Sequence, residues 1–165
     1  MAPPRREKPR PGQESVWDYP RPPRVHRSSE VVEIVLGGVV VARSTAALRV
    51  LEASHPPTYY LPRGDFATGT LAAAAGTSFC EFKGQASYLD LVAGGVVARR
   101  SAWTYPSPSP GFGAIVNHVA VMPAAMDRCT VDGETVAAQK GGFYGGWITS
   151  HVVGPFKGGP GTQGW

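Results

Sequence analysis

Hydrophobic positions in this chain come in short runs of about five residues, closed by Gly, Pro or Asp-Gly, with no sustained 3.6-residue period. Val31–Leu36, Gly37-Gly38 and Val39–Arg43 predict a β-hairpin with a two-residue turn. Tyr88–Ala93, Gly94-Gly95 and Val96–Tyr105 predict a second, and Arg128–Val131, Asp132-Gly133 and Glu134–Ala137 a third. Thr58–Leu61 and His118–Met122 read as further strands. Thr77–Lys83 reads as a strand ended by Gly84, with Cys80 and Phe82 on one face and Glu81 and Lys83 on the other. Helical expectations are few. Ser44-Thr45 would cap a short helix over Ala46–Glu52, broken at Ser54–Pro57. Residues 64–76 read as an Ala-rich loop or a single helical turn, and Phe112–Asn117 as one turn after the stiff Pro106, Pro108 and Pro110 loop. The Gly-rich stretch after Gly141 carries Phe143, Tyr144, Trp147 and Phe156, rings that require burial.

Two of the hairpins echo one another. Residues 33–44 (EIVLGGVVVARS) match residues 90–101 (DLVAGGVVARRS) at seven of twelve positions. Trp17-Asp18-Tyr19-Pro20 likewise echoes Trp103-Thr104-Tyr105-Pro106. Either the chain holds a duplicated β unit with pseudo-twofold packing, or Gly-Gly hairpins with Val strands converge for turn reasons. Both readings favour a mainly β fold, a small sandwich or an open barrel.

Composition sharpens this. Of 165 residues, 21 are Gly and 16 Pro; 42% are hydrophobic and 17% charged, which excludes a long helical bundle and a disordered polyelectrolyte. No apolar run approaches the ~18 residues a membrane span needs. The net charge of +4 belongs to residues 1–27, because residues 28–165 hold nine charges of each sign. Residues 1–14 therefore read as a disordered, basic, Pro-rich leader, and residues 15–165 as one domain, with Trp17 and Tyr19 anchoring the entering chain. A neutral domain gives no footprint for nucleic acid. Cys80 and Cys129 form no disulfide framework and no CxxC pair, and Met1–Gly12 lacks the apolar core of a secretory signal, so a cytoplasmic protein with reduced thiols is expected.

Candidate chemistry is sparse. The glycines of Phe156–Gly161 precede no helix, which argues against a phosphate cradle. The domain has no Asp-x-Asp or Asp-Asp pair, which argues against two-metal nucleotidyl transfer. Cys80 is either a nucleophile or a small buried hydrophobe, and Cys129 reads more plainly as the latter. His118 reads as a core histidine or a base, His55 as a turn residue or a pocket wall. Among so few charges, Arg49, Glu81, Lys83, Tyr88 and Asp90 stand out on strands. Glu81 and Lys83 would form an acid–base pair, or else an exposed ion pair of little worth. Tyr60, Tyr88, Trp103, Tyr144 and Trp147, with Arg49, are the candidate ligand-binding residues, Gly-flanked Tyr144 and Trp147 suiting a pocket wall.

Trp17-Asp18-Tyr19-Pro20, Tyr59-Tyr60, Cys80-Glu81-Phe82-Lys83-Gly84 with Tyr88 and Asp90, Ala102-Trp103-x-Tyr105-Pro106, His118-Val119-Ala120, Val131-Asp132-Gly133-Glu134 and Gly142-Phe143-Tyr144-Gly145-Gly146-Trp147 together resemble the domain-of-unknown-function 427 family over about residues 15–165. The family is bacterial and fungal and also carries the label nucleotidyltransferase domain 9. The resemblance implies a β-tent-like fold, two roughly orthogonal antiparallel sheets with one or two short helical turns, as in methionine sulfoxide reductase B and cereblon's ligand-binding domain, with a cleft between the sheets. Relatives of that fold often hold zinc with two CxxC pairs; this chain has none, so neither metal nor other cofactor is expected. Phe82 stands where the family often has Trp, and Phe79 where it often has His. The reading is a small-molecule-binding β domain, as a metal-free enzyme if catalytic, with Glu81, Lys83 and Cys80 as catalytic candidates and an aromatic-lined cleft. The alternative is a non-catalytic interaction module or homodimer, and nucleotidyl transfer is less favoured.

Overall fold

The computed structural model describes residues 4–165, so the leader expectation for residues 1–3 lies outside the described residues. The strands in chain order are β1 (Glu14–Ser15), β2 (Arg24–Arg27), β3 (Val32–Leu36), β4 (Val39–Ser44), β5 (Leu48–Leu51), β6 (Thr58–Pro62), β7 (Leu71–Cys80) and β8 (Gly84–Ala93). They continue with β9 (Val96–Thr104), β10 (His118–Val121), β11 (Arg128–Val131), β12 (Glu134–Thr135), β13 (Ala137–Ala138), β14 (Trp147–Ile148) and β15 (Val152–Val153). Helical structure is confined, among the described residues, to single 3-10 turns at Val16–Asp18, Arg63–Asp65, Gly113–Ile115 and Pro123–Ala125. No helix among the described residues is long and apolar enough to cross a membrane.

The fold is mainly β, built on two principal antiparallel sheets. One has seven strands in the order β2-β5-β6-β10-β9-β8-β7, the other four in the order β12-β11-β3-β4. All three expected hairpins form. Their turn residues, Gly37-Gly38 (φ +59°, +73°), Gly94-Gly95 (+55°, +77°) and Asp132-Gly133 (+48°, +80°), share the left-handed conformation that matches the twist of paired strands. The two echoed hairpins come from different sheets and meet tip to tip. A Cβ at Gly37 would overlap the Ala93 carbonyl oxygen, and one at Gly94 would overlap the Gly37 carbonyl oxygen.

Strand alternation separates two apolar layers. Tyr59 and Leu61 of β6, Val119 and Val121 of β10 and Leu89 and Leu91 of β8 face Val32, Ile34, Val41, Cys129 and Val131 of the smaller sheet. Tyr60 between Tyr59 and Leu61, and Ala120 between Val119 and Val121, join Leu48, Val50, Ala86, Tyr105, Phe112 and Ile115 on the opposite face. The space between the sheets is therefore filled by core, and the cleft expected there lies instead on the far face of the seven-stranded sheet.

Three local expectations are corrected. The helix expected over Ala46–Glu52 is strand β5, hydrogen-bonded to β2 on one side and β6 on the other. Leu48, Arg49, Val50 and Leu51 are all buried, which a sheet interior provides and a one-turn helix does not. The capping signal is real but local: Ser44 Oγ accepts the Ala46 N–H at 3.0 Å in a turn that feeds the strand. Second, much of the Ala-rich 64–76 segment belongs to the ten-residue edge strand β7. Third, the reversal after β7 is made by Glu81-Phe82-Lys83, closed by the Cys80–Gly84 pair, so Gly84 opens β8 rather than ending a strand.

The entering chain is tied to the exiting one. β1 pairs in parallel with β15, the Glu7 N–H donates to the Gly154 carbonyl at 2.9 Å, and Trp17 Nε1–H donates to the Pro155 carbonyl at 2.8 Å. Trp165 lies against Trp17, ring centroids 5.5 Å apart.

Candidate functional site

A cleft of about 430 Å³ opens on the outer face of the seven-stranded sheet. Alternation aims Val50 of β5, Tyr60 of β6, Cys80 of β7, Ala86 and Tyr88 of β8 and Trp103 of β9 to this side. Tyr60 forms the floor. It is 1% exposed, its hydroxyl accepts the Trp103 Nε1–H at 3.1 Å, and its ring stands perpendicular to Trp103. Burial pushes the Tyr60 phenol well above its ordinary range, so it stays protonated. Phe79 from β7 and Phe143 from the Gly-rich loop also line the cleft, and both are 78% exposed. The burial expected of Phe143 is therefore corrected, whereas Trp147 from the same loop is buried.

Three cations line the cleft: Lys83, Arg100 and Lys157. Arg100 is aimed by backbone irregularity. The β8–β9 register slips between Leu89 and Leu91, and Arg100 takes φ +51°. The Asp90 carboxylate accepts the Arg100 N–H at 2.7 Å, and the guanidinium lies 4.5 Å from the Tyr88 ring centroid. A matching slip between Ala73 and Thr77 puts Gly76 beside this guanidinium, which fills the space a Cβ there would crowd. Asp90→Ala is expected to lower stability by about 1.5 kcal/mol in urea unfolding, the worth of a charge-assisted hydrogen bond, and Asp90→Asn to restore about half of it through a neutral one. An equal loss in both variants would deny Asp90 this positioning role.

His55 forms the wall opposite. Gln139 is buried, and its Nε2 donates to His55 Nδ1 at 3.1 Å and to the Lys157 carbonyl at 2.7 Å, while its Oε1 accepts the Gly146 N–H. With Nδ1 accepting, neutral His55 carries its proton on Nε2. The Tyr144 ring meets the imidazole edge-on, centroids 4.9 Å apart. Burial, with help from the charges of Lys157, Arg21 and Lys83, lowers the His55 pKa to about 4. Glu52 Oε2 sits 3.7 Å from Nε2 and would favour the imidazolium, but Arg21 engages the same oxygen at 3.4 Å. Burial, aided by the cations, prevails, and His55 is neutral at pH 7.

Of the residues singled out in the sequence, Cys80, Lys83, His55, Tyr60, Tyr88, Trp103 and Tyr144 converge on this cleft, whereas Glu81, Arg49, Asp90, Trp147, Cys129 and His118 do not line it. Glu81 is exposed on the turn, outside the cleft lining, because the chain reverses there and strand alternation no longer relates it to Lys83. Arg49 is buried in a different network: it holds Glu14 through both oxygens, at 2.9 and 3.3 Å, and its Nη2 is 3.2 Å from His26 Nδ1. The Arg49 guanidinium and the Tyr19 hydroxyl, which also donates to Glu14, hold the Glu14 carboxyl below the usual range, so this cluster clamps the entering chain to β5. Trp147 is 1% exposed in the core, its ring 4.8 Å from Tyr59. Cys129 is also core, its thiol pushed up to about 12 by burial. His118 Nδ1 lies 2.8 Å from the Val116 carbonyl, away from the cleft. Arg100 and Gln139 went unnoticed in the sequence; the paired Arg99-Arg100 breaking strand alternation was the available signal for the first, and Gln139 left none.

A family model described as Domain of unknown function (DUF427) matches residues 24–132, and the chain belongs to that family. The match takes in β2 through Asp132, hence the cleft floor, Lys83, Arg100 and His55; the Gln139, Tyr144 and Lys157 wall lies beyond it. No curated protein matches the chain.

Proposed function

We propose that the outer-face cleft binds a small molecule, and that His55 and Lys83, rather than Glu81, are the groups that would donate hydrogen bonds to it. One observation carries the reading: the Tyr60, Trp103 and Tyr105 rings meet beneath a cleft of about 430 Å³, within the range of small-ligand sites, whose walls bring His55, Lys83 and Cys80 together. A neutral imidazole with a fixed Nε2–H is suited to donate a hydrogen bond to a ligand at pH 7. The two cysteines are free, which fits a reducing cytoplasmic setting.

A thermal-shift screen of a metabolite library tests the reading. Compounds that raise the melting temperature of the native protein are expected to lose that effect in Lys83→Met and keep it in Glu81→Gln. Hits unaffected by Lys83→Met and by Trp103→Phe would move the binding site elsewhere. A second reading, docking of a second copy through the adjoining hairpin tips, is favoured by Val39, Val40, Val96 and Val97, which are 40–49% exposed. Light scattering that finds a dimer dispersed by Val40→Lys would favour it. Nucleotidyl transfer is less favoured, because Glu52 is the one carboxylate lining the cleft among the described residues and Arg21 engages it.

A further inference from the structure

We infer that the ligand of this cleft is a small organic anion bearing a flat ring, a carboxylate or a phosphate ester; the inference rests on the binding reading and specifies its chemistry. The charge argument comes from pairing. Lys83, Arg100 and Lys157 line the cleft, and neither Lys83 nor Arg100 has a carboxylate within ion-pair distance among the described residues. Asp90 beside Arg100 is spent on the backbone N–H, not the guanidinium. Lys157 Nζ donates at 3.2 Å to the main-chain oxygen of Trp165, the last residue, and is set apart from the two unpaired cations, although further N–H donors remain on its ammonium. The wall's one carboxylate, Glu52, belongs to Arg21. Residues 28–165 carry balanced charge, so two unpaired cations, Lys83 and Arg100, with Lys157 beside them in one hollow are a local concentration and not an overflow of a basic protein. His55 registers the same field, since the nearby cations help keep it neutral. Lys83 and Lys157 are half-buried and Arg100 is exposed at the rim, and such a cluster is stabilised by an anion that brings the missing charge.

The ring argument comes from exposure. Each cation lies beside an aromatic face: Lys83 Nζ is 5.9 Å from the Tyr105 centroid, Arg100 4.5 Å from Tyr88 and Lys157 Nζ 5.7 Å from Tyr144. Phe79 and Phe143 enter from separate elements and leave 78% of their surface in solvent, a cost that a stacked ligand ring would recover. Phe143 is braced edge-on by Tyr144 at 5.1 Å, so its free face is available to a guest.

The test titrates the full chain with phenyl phosphate, benzoate, benzyl alcohol, benzylamine and inorganic phosphate, following the Trp103 indole N–H by NMR. At least one of phenyl phosphate and benzoate is expected to bind about tenfold more tightly than benzyl alcohol, and the preferred one identifies the anionic group. That preference should shrink as salt cuts the Debye length from about 30 to 8 Å. Lys83→Met and Arg100→Met should each remove most of it while leaving benzyl alcohol unchanged, and Phe79→Ser, a surface change that spares the fold, should weaken all the ring-bearing probes. Benzyl alcohol or benzylamine binding at Trp103 as tightly as the anions would overturn the charge assignment and leave the cleft reading standing. Inorganic phosphate matching phenyl phosphate would overturn the ring. No probe shifting Trp103 would overturn both the inference and the reading beneath it.

Discussion

Gly94→Ala is expected to lower the stability of this protein by about 4 kcal/mol, whereas Gly95→Ala, one residue on in the same turn, should cost about 1–2 kcal/mol. Both glycines have positive φ, +55° and +77°, so both replacements pay the left-handed penalty of an L-residue. Only the first meets an obstacle. A Cβ at Gly94 would fall on the Gly37 carbonyl, backbone against backbone, while a Cβ at Gly95 has nothing within 4 Å. The facing hairpin repeats the contrast: Gly37 is blocked by the Ala93 carbonyl and Gly38 is open. Neither backbone can step aside cheaply, because each is the two-residue turn of a paired hairpin, one in each sheet. Urea unfolding of the four single Gly→Ala variants checks this. Equal losses at the inner and outer positions would show that conformation alone governs these turns and that the hairpin tips are not pressed together. The tip contact also gives the internal echo a physical use, since two similar hairpins present the same glycine-bared backbone to each other.

What could be read from the sequence follows the range of the interactions responsible. The three hairpins were legible because Gly-Gly and Asp-Gly at a two-residue spacing determine turn and register within a few residues. Strand β5 was not, because Ser44 sends a true capping signal and only the neighbouring β2 and β6 turn Leu48–Leu51 into sheet. The same division runs through the site. Tyr60, Tyr88, Trp103 and Tyr144 were legible as large rings that must face something. Arg49 and Trp147 were equally conspicuous, but Arg49 found its partner in Glu14, 35 residues away, and Trp147 became core. Glu81 was misassigned by one error of register: the reversal begins three residues earlier than Gly84 suggests. Arg100 depends on bulges in two strand pairs and Gln139 on a loop 84 residues from His55, and neither arrangement has a local signature.

The second large effect expected is a loss of about 3 kcal/mol of stability as the pH falls from 7 to 4, carried by His55. In the folded protein the imidazole titrates near 4, against an ordinary value of 6.5. Between those values the unfolded chain binds a proton that the folded one refuses, so acid favours unfolding. The contribution is complete above pH 6.5, declines through the interval and is spent near pH 4. Its origin is mainly burial, since protonation would place a charge at a half-enclosed wall already faced by Lys157, Arg21 and Lys83, with Glu52 occupied by Arg21. Glu14 adds acid sensitivity too, but its lowered carboxyl pKa puts that contribution below pH 4.5, at the foot of the His55 window. His55→Gln separates them: the side chain can still accept from Gln139 but does not titrate, so the slope between pH 6.5 and 4.5 should vanish while the loss at lower pH persists. An unchanged slope in that variant would mean the imidazole is protonated without strain and the cationic field is weaker than the geometry implies. An anion in the cleft acts in the opposite direction, because its charge offsets the lysines and lets the imidazole hold a proton. Saturating phenyl phosphate should therefore move the acid transition to lower pH by more than its binding at pH 7 accounts for, which links the stability of the fold to the occupancy of its cleft.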